Sequence, residues 1–319
     1  MPAIVNSTVV LPVEYSREII RGVLGRSKAL ELGRRLPDMR GKTYKLNVLS
    51  ALATAGWVAN SQTTPNAEGT EINRKPVSII AWEGVNLEAE TIACIVPISE
   101  ETLADTEDFG VSVIPTISEQ IVGAFQRVID ATAFFGTNSP WSGFNGIVAA
   151  ATAAGAVVTW DGQGGVSFYN AVSDAMGYVE ESGFIPNAIL GAPSLRSAFR
   201  GSITNLGVVA GDQGEVGALP RHIDLTGGFD STSAFAIVGD FNYLVYSFRE
   251  EMSMKLLTEA SIDDPDTGDK LYNLAQQDML ALRFKMRLGI AVPNPVTYVG
   301  QNLGEGRSAY PFAVITKGE

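Results

Sequence analysis

Residues 95–136 read IVPISEETLADTEDFGVSVIPTISEQIVGAFQRVIDATAFFG, and the architecture follows from them. Ser99 stands ahead of Glu100 and Glu101. That is a helix start: a hydroxyl to cap a free amide, then acids where the helix end is electropositive. Further on, Ile114, Ile117, Ile121, Phe125, Val128, Thr132 and Phe135 are spaced 3, 4, 4, 3, 4 and 3 apart. Their spacing predicts one apolar stripe along a helix of about six turns. Pro115 falls in its first turn, where a missing N–H costs little, and Gly136 ends it. A stripe of that length needs a sheet or another subunit along all of it, and packing on a sheet of its own chain is the expectation.

Upstream, Tyr44, Leu46 and Val48 alternate with polar residues in a strand over Lys42–Leu49. Strand character returns at Val77–Trp82 and continues through Val85, Leu87, Ala89, Ile95, Val96 and Ile98. Between them Leu49–Lys75 has no sustained period, and a tip that long without its own core is usually functional. The pair of strands is expected to form an extended hairpin. Val13–Leu36 mixes charged and apolar residues as one or two short amphipathic helices, closed by Pro37.

Downstream, Gly136–Gly146 is a loop. Ser167 is expected to cap a helix through Glu181 with Phe168, Val172, Ala175 and Val179 inward, stopped by Gly183. A short strand at Ala188–Gly191, a short helix at Pro193–Phe199 and a Gly-rich mobile loop at Thr204–Pro220 follow. The last third is β, with strands at Ala234–Asp240, Leu244–Phe248 and Met252–Leu256 and a turn at Asp263–Asp269. The clearest alternation is Leu280, Leu282, Phe284, Met286, Leu288, Ile290 and Val292 against Arg283, Lys285 and Arg287, one buried face and one basic.

Composition narrows the function. The chain has 319 residues, 18% of them charged against a usual fraction of about 25%, and 33 glycines. Few charges among many small and apolar residues suit a surface largely covered by other subunits. The net charge is −12, divided unevenly: residues 1–45 carry +5 and the rest −17. An acidic body opposes broad nucleic-acid binding, which needs a cationic surface. One Cys (Cys94) and one His (His222) exclude a disulfide framework and multi-histidine metal centres. No basic segment leading into an apolar core opens the chain, and its longest uncharged apolar stretch is too short to cross a bilayer of about 30 Å. Synthesis in the cytoplasm without membrane association is the expectation.

Catalytic signatures fail individually. Gly41-Lys42-Thr43 ends like a phosphate loop, but its leading glycine position holds Leu36. Gly162–Ser167 lacks the last glycine of a dinucleotide loop. The Asp263–Asp269 cluster resembles a calcium loop only loosely, because a loop counted from Asp264 needs Gly and Glu where Asp269 and Ala275 stand. Glu180 and Glu181 are adjacent on a helix and point apart. A serine triad would have to use His222, whose place reads as surface or packing. No catalytic, cofactor-binding or metal-binding residue is expected, and no enzyme.

The order of elements resembles the major capsid proteins of tailed bacteriophages, with the Hong Kong 97 type fold. Ile95–Thr106 is similar to the family's strand-into-helix stretch before its spine helix. Ile129–Gly136, with Pro140 and Gly143–Ile147, resembles the spine's end and the crossing to the axial lobe, and Ile237–Phe241 and Arg283–Val292 its returning strands. The resemblance covers roughly residues 10–298. It implies an α+β subunit with an N-terminal arm (1–40), an extended loop (41–82), a peripheral domain with the long spine helix (83–135 and 236–298) and an axial domain (136–235). Residues 299–319 lie beyond it as a C-terminal extension, with Tyr310–Ile315 able to add an edge strand or clasp a neighbour.

The resemblance further implies a virion protein that self-assembles as hexamers and pentamers into an icosahedral shell. That shell encloses double-stranded DNA without sequence-specific contacts. A portal is the expected partner, and scaffolding or decoration would come from separate proteins. Alternatives are an encapsulin-type compartment shell and, remotely, an α/β hydrolase-like enzyme using His222. The candidate interface residues are Arg17, Arg21, Arg34 and Arg35 in the basic arm and Leu52, Trp57 and Val58 in the loop, apolar groups in need of cover. Lys75 joins them because some family members cross-link subunits through a Lys–Asn isopeptide, although no local motif marks its partner.

Overall fold

The computed structural model describes residues 26–55, 64–65, 71–72, 77–108, 113–162, 166–201, 215–216, 219–264, 266–303 and 306–318. By contacts the described chain divides into two compact units, one of Cys94–Val122 with Met254–Phe284 and another of 26–93, Gly123–Ser253 and 285–318.

The second unit begins with helix α1 (Lys28–Leu32), capped by the Ser27 hydroxyl, and strand β1 (Arg34–Arg35). The expected helical stretch therefore turns to strand at residue 34, and its part before residue 26 lies outside the described residues. The arm is β2 (Thr43–Ala51) paired antiparallel with β5 (Ala81–Glu88), with Tyr44 opposite Leu87 and Val48 opposite Glu83. A two-residue ladder of β3 (Thr64–Pro65) and β4 (Glu71–Ile72) lies between them in sequence. This corrects the expected hairpin, because the partner of β2 starts at Ala81 while Val77–Ile80 has no strand structure. A run of Val and Ile reads as strand by side-chain type, but its ladder partner is set by register.

Strand β6 (Glu90–Ser99) leads to α2 (Glu100–Asp108), where the Ser99 hydroxyl accepts the Thr102 N–H at 3.2 Å as expected. The spine helix α3 (Val113–Phe135) ends at Gly136, whose φ of +68° breaks the helix. Its buried positions correct the expected stripe. Of the expected stripe Ile121, Phe125 and Thr132 are buried, whereas Val128 is 48% exposed and Ile129, Ala133 and Phe134 are buried beside it. Steps of four advance slightly more than one turn, so the buried line winds around the helix. At its C-terminal end Phe229 covers a second side, its ring 6.3 Å from Phe134 and 5.1 Å from Phe135.

After the 136–146 loop come α4 (Ile147–Ala153), β7 (Val157–Trp160), α5 (Val166–Glu181), β8 (Ala188–Gly191), α6 (Ser194–Gly201), β9 (Glu215–Val216), β10 (Leu219–Ile223) and β11 (Ala236–Gly239). With β16 (Phe312–Lys317) the strands form one sheet in the order β7-β16-β11-β8-β10-β9. Helix α5 packs on it through Phe168, Val172, Ala175 and Val179, all fully buried, against Trp160, Ile189, Val238 and Ile315. The Ser167 hydroxyl, one residue inside the helix, donates to Asp161.

Two expected placements change here. Strand β11 was expected to return to a peripheral domain and Tyr310–Ile315 to form an edge strand or clasp. Instead β11 lies between β8 and β16, and β16 lies between β7 and β11. Burial on both faces explains the composition of each, Ala236–Gly239 and Phe312–Ile315 being near-continuous apolar runs. Most of the expected mobile loop at 204–220 lies outside the described residues.

The remaining strands are β12 (Val245–Leu257), one strand where two were expected, the hairpin β13 (Ser261–Asp263) and β14 (Lys270–Asn273) around the expected turn, and β15 (Met279–Ala291). The sheet order is β1-β12-β15-β6. From Leu282 to Leu288 the strand β15 alternates buried and half-buried residues as expected. Beyond Leu288 both faces are buried.

Candidate assembly surface

The arm is anchored at its base and open beyond it. Ser50 forms a bulge where the β2–β5 register shifts, and beside it the Leu49 carbonyl accepts the Val296 N–H at 3.1 Å. The Tyr298 hydroxyl donates to the Ala53 carbonyl at 2.8 Å. On the other strand the Trp141 indole N–H donates to the Glu88 carbonyl at 2.8 Å. Around that indole a pocket of about 270 Å³ is lined by Val85, Glu88, Trp141, Phe144 and Ile290. Past these ties, Val77, Ile79, Ile80 and Trp82 are 91%, 78%, 55% and 68% exposed. Four large apolar side chains within six residues, exposed among the described residues, form a candidate contact surface. The expected strand over Val77–Trp82 holds for Trp82, in β5, and not for Val77, Ile79 and Ile80. The signal available in the sequence was Val77, Ile79 and Ile80, a run too apolar for a solvated hairpin edge.

The candidate interface residues divide. Arg34 and Arg35 are exposed on β1, the strand that runs parallel to β12. Arg35 is engaged within the chain: its guanidinium pairs with Asp38 and Glu251, each at 3.0 Å, and lies 5.1 Å over the Phe248 ring. Leu52 is half-buried just past the bulge. Arg17, Arg21, Trp57, Val58 and Lys75 lie outside the described residues.

At the root of the N-terminal segment the structure shows a charge that sequence reading missed. Asp130 on α3 is completely buried, and its Oδ1 accepts the Ser27 hydroxyl at 2.7 Å and the Ala29 N–H at 2.9 Å. Its Oδ2 accepts the Lys28 N–H at 3.2 Å and lies 3.0 Å from the Thr226 hydroxyl. Burial outweighs these hydrogen bonds and pushes Asp130 up to about 6. The signal available was an acid directly after Ile129 on an apolar helix.

His222 on β10 is half-buried, with Nδ1 3.8 Å from Glu31, and burial lowers its proton affinity. Among the described residues no serine is hydrogen-bonded to it, and none form a cluster of three or more metal-ligating side chains.

Comparison with known proteins places this geometry. The family model described as "Phage capsid family" matches residues 7–201. A solved structure from Microbacterium phage Oxtober96 is 31% identical, covering 97% of each chain at a TM-score of 0.79. One from Mycobacterium phage Adephagia is 25% identical, covering 98% of this chain and 96% of that one at 0.80. The capsid of an empty GTA particle, computed with C5 symmetry, is 13% identical with a TM-score of 0.62 over 96% of this chain, a likeness of fold alone. Among curated proteins nothing matches.

Proposed function

This chain belongs to the phage capsid family and is a virion shell protein of Hong Kong 97 type fold, and on that premise we propose how its surfaces build the shell. Subunits associate with their own kind as hexamers and pentamers that close into an icosahedral shell. The β2–β5 arm lies on a neighbouring subunit, which covers Val77, Ile79, Ile80 and Trp82. The basic N-terminal residues meet acidic surfaces of adjacent copies. Double-stranded DNA is enclosed without specific contacts, since a body carrying −17 outside residues 1–45 does not hold a polyanion to its wall. The protein performs no catalysis, is made in the host cytoplasm, and meets a portal and separate scaffolding or decoration proteins during assembly.

The same reading assigns 1–40 to the arm, 41–82 to the extended loop, 83–135 with 240–298 to the peripheral part, 136–239 to the axial part and 299–319 to the extension, β11 having moved from the peripheral to the axial part. Strands β11 and β16 complete the axial sheet. The carrying observation is the likeness over 97% of the chain at 31% identity, because it spans arm, spine and both sheets at once. Sedimentation and negative-stain microscopy of the purified protein test the proposal. Capsomer-sized rings or closed particles are expected, and a stable monomer at high concentration would count against it.

A further inference from the structure

We infer that Asp130, Thr226 and Asp224 form a clasp completed by one added proton, fastening the root of the N-terminal segment to the spine helix more tightly in acid than at neutral pH. The Thr226 hydroxyl oxygen lies 2.7 Å from Asp224 Oδ1 and 3.0 Å from Asp130 Oδ2, and it accepts the Gly228 N–H at 3.2 Å. A hydroxyl has one hydrogen, so it donates to one carboxylate at a time. With both acids ionised, one of the two oxygen–oxygen approaches has no hydrogen in it. Both carboxylates are buried, at 0% and 2% exposure, where an unpaired charge is costly.

A proton on Asp130 Oδ2 closes the chain: Asp130 donates to Thr226, and Thr226 donates to Asp224. Oδ1 keeps the Ser27 hydroxyl and the Ala29 N–H. Among the described residues no cation supplies the missing positive charge. Among the described residues neither carboxylate has an ion-pair partner. On α1, the Lys28 ammonium is bound to Glu31 at 2.6 Å, and Glu31 in turn is 3.8 Å from His222 of β10. From the 224–229 loop the acid that faces Asp130 is Asp224, and on α3 itself the nearest charged residue in sequence is Arg127, which is exposed. The loop also packs closely on the helix at Gly228. A Cβ on Gly228 would come 2.7 Å from the Arg127 carbonyl and 3.0 Å from the Asp130 Cβ.

The sign follows from linkage. Asp130 rises from 3.8 to about 6 when buried, so the closed clasp binds the proton more tightly than the open one. Its contribution is complete below about 4 and is lost as pH rises through about 6. The closed-to-open ratio changes on the order of 100-fold across that window. His222 opposes it, because burial lowers its affinity and its contribution falls as pH falls.

Hydrogen exchange of the Lys28 and Ala29 amides tests the clasp in the full-length protein. It is read between pH 4.5 and 7.5 after correction for intrinsic exchange, in a His222→Gln background. Protection rising at least tenfold with acid, the rise setting in as the pH falls below about 6, is expected. Asp130→Asn places a donor where the proton would sit, at the cost of the weak Lys28 contact, so its protection should be the same at all pH values. Flat protection in the Asp130 protein, protection that falls with acid, or an unchanged titration in Asp130→Asn would each overturn the inference. Should Asp130→Asn fail to fold, the titration of the His222→Gln protein alone decides.

Discussion

Gly136 and Gly146 show how single residues set the geometry at the end of the spine. Both have positive φ, +68° and +86°. A Cβ on Gly136 would collide with the Asn145 carbonyl, and one on Gly146 with the Gly136 nitrogen, so the obstacle in each case is backbone. Gly136→Ala is therefore expected to lower stability by at least ~2 kcal/mol, from the left-handed backbone plus the collision. Chemical denaturation would measure it, and a loss under ~0.5 kcal/mol would contradict this reading. At Trp141 the loop that follows is pinned to β5 by one hydrogen bond. Trp141→Phe keeps most of the apolar body and strands the Glu88 carbonyl, which should cost about 1–2 kcal/mol.

At the scale of an element, β15 separates its two faces. Phe284 is 3% exposed, whereas the Lys285 ammonium reaches Glu250 at 2.8 Å with both side chains about a third exposed. Phe284→Asp should cost more than ~4 kcal/mol and prevent folding, because it buries an unpaired charge. Lys285→Asp should leave the subunit folded and melting close to the parent, as exposed ion pairs contribute little. Equal melting of the two variants would contradict the face assignment. The β2–β5 arm separates folding from assembly in the same way. Ile79→Ser, Ile80→Ser and Trp82→Ser together remove apolar surface that the subunit leaves mostly exposed. The triple variant should melt within ~1 kcal/mol of the parent and yield no closed particles by microscopy. Intact shells would show that the run is not a subunit contact.

At the scale of the whole molecule, the charge division is the testable property. Residues 1–45 carry +5 against −17 for the rest. Arg35 already has two acids of its own chain, so its reversal reports on local structure. Reversing Arg17, Arg21 and Arg34 together should weaken subunit association. At about 0.5 kcal/mol for each exposed pair the loss is roughly tenfold per subunit, and the parent's association should weaken with salt. Association that is indifferent both to the reversal and to salt would remove the basic arm from the assembly surface.

Much of the fold was legible because local signals agreed. The Ser99 cap, the Gly136 and Gly183 stops, the inward face of α5 and the alternation of β15 each depend on neighbours within a few residues, where periodicity and capping act. The order of those elements also carried the family. Sequence alone did not determine partners. Whether Thr43–Ala51 pairs with 77–82 or 81–88, and whether Phe312–Lys317 lies at an edge or inside a sheet, are questions of register and sheet order that apolar runs answer equally well either way. The same holds for which side of α3 is covered at its end, where Phe229 arrives from nearly a hundred residues away. Asp130 is the sharpest case. In the sequence it is one acid on a helix, and only the approach of Ser27 from one side and Thr226 from the other buries it, because burial is a property of what surrounds a residue and not of the residue itself.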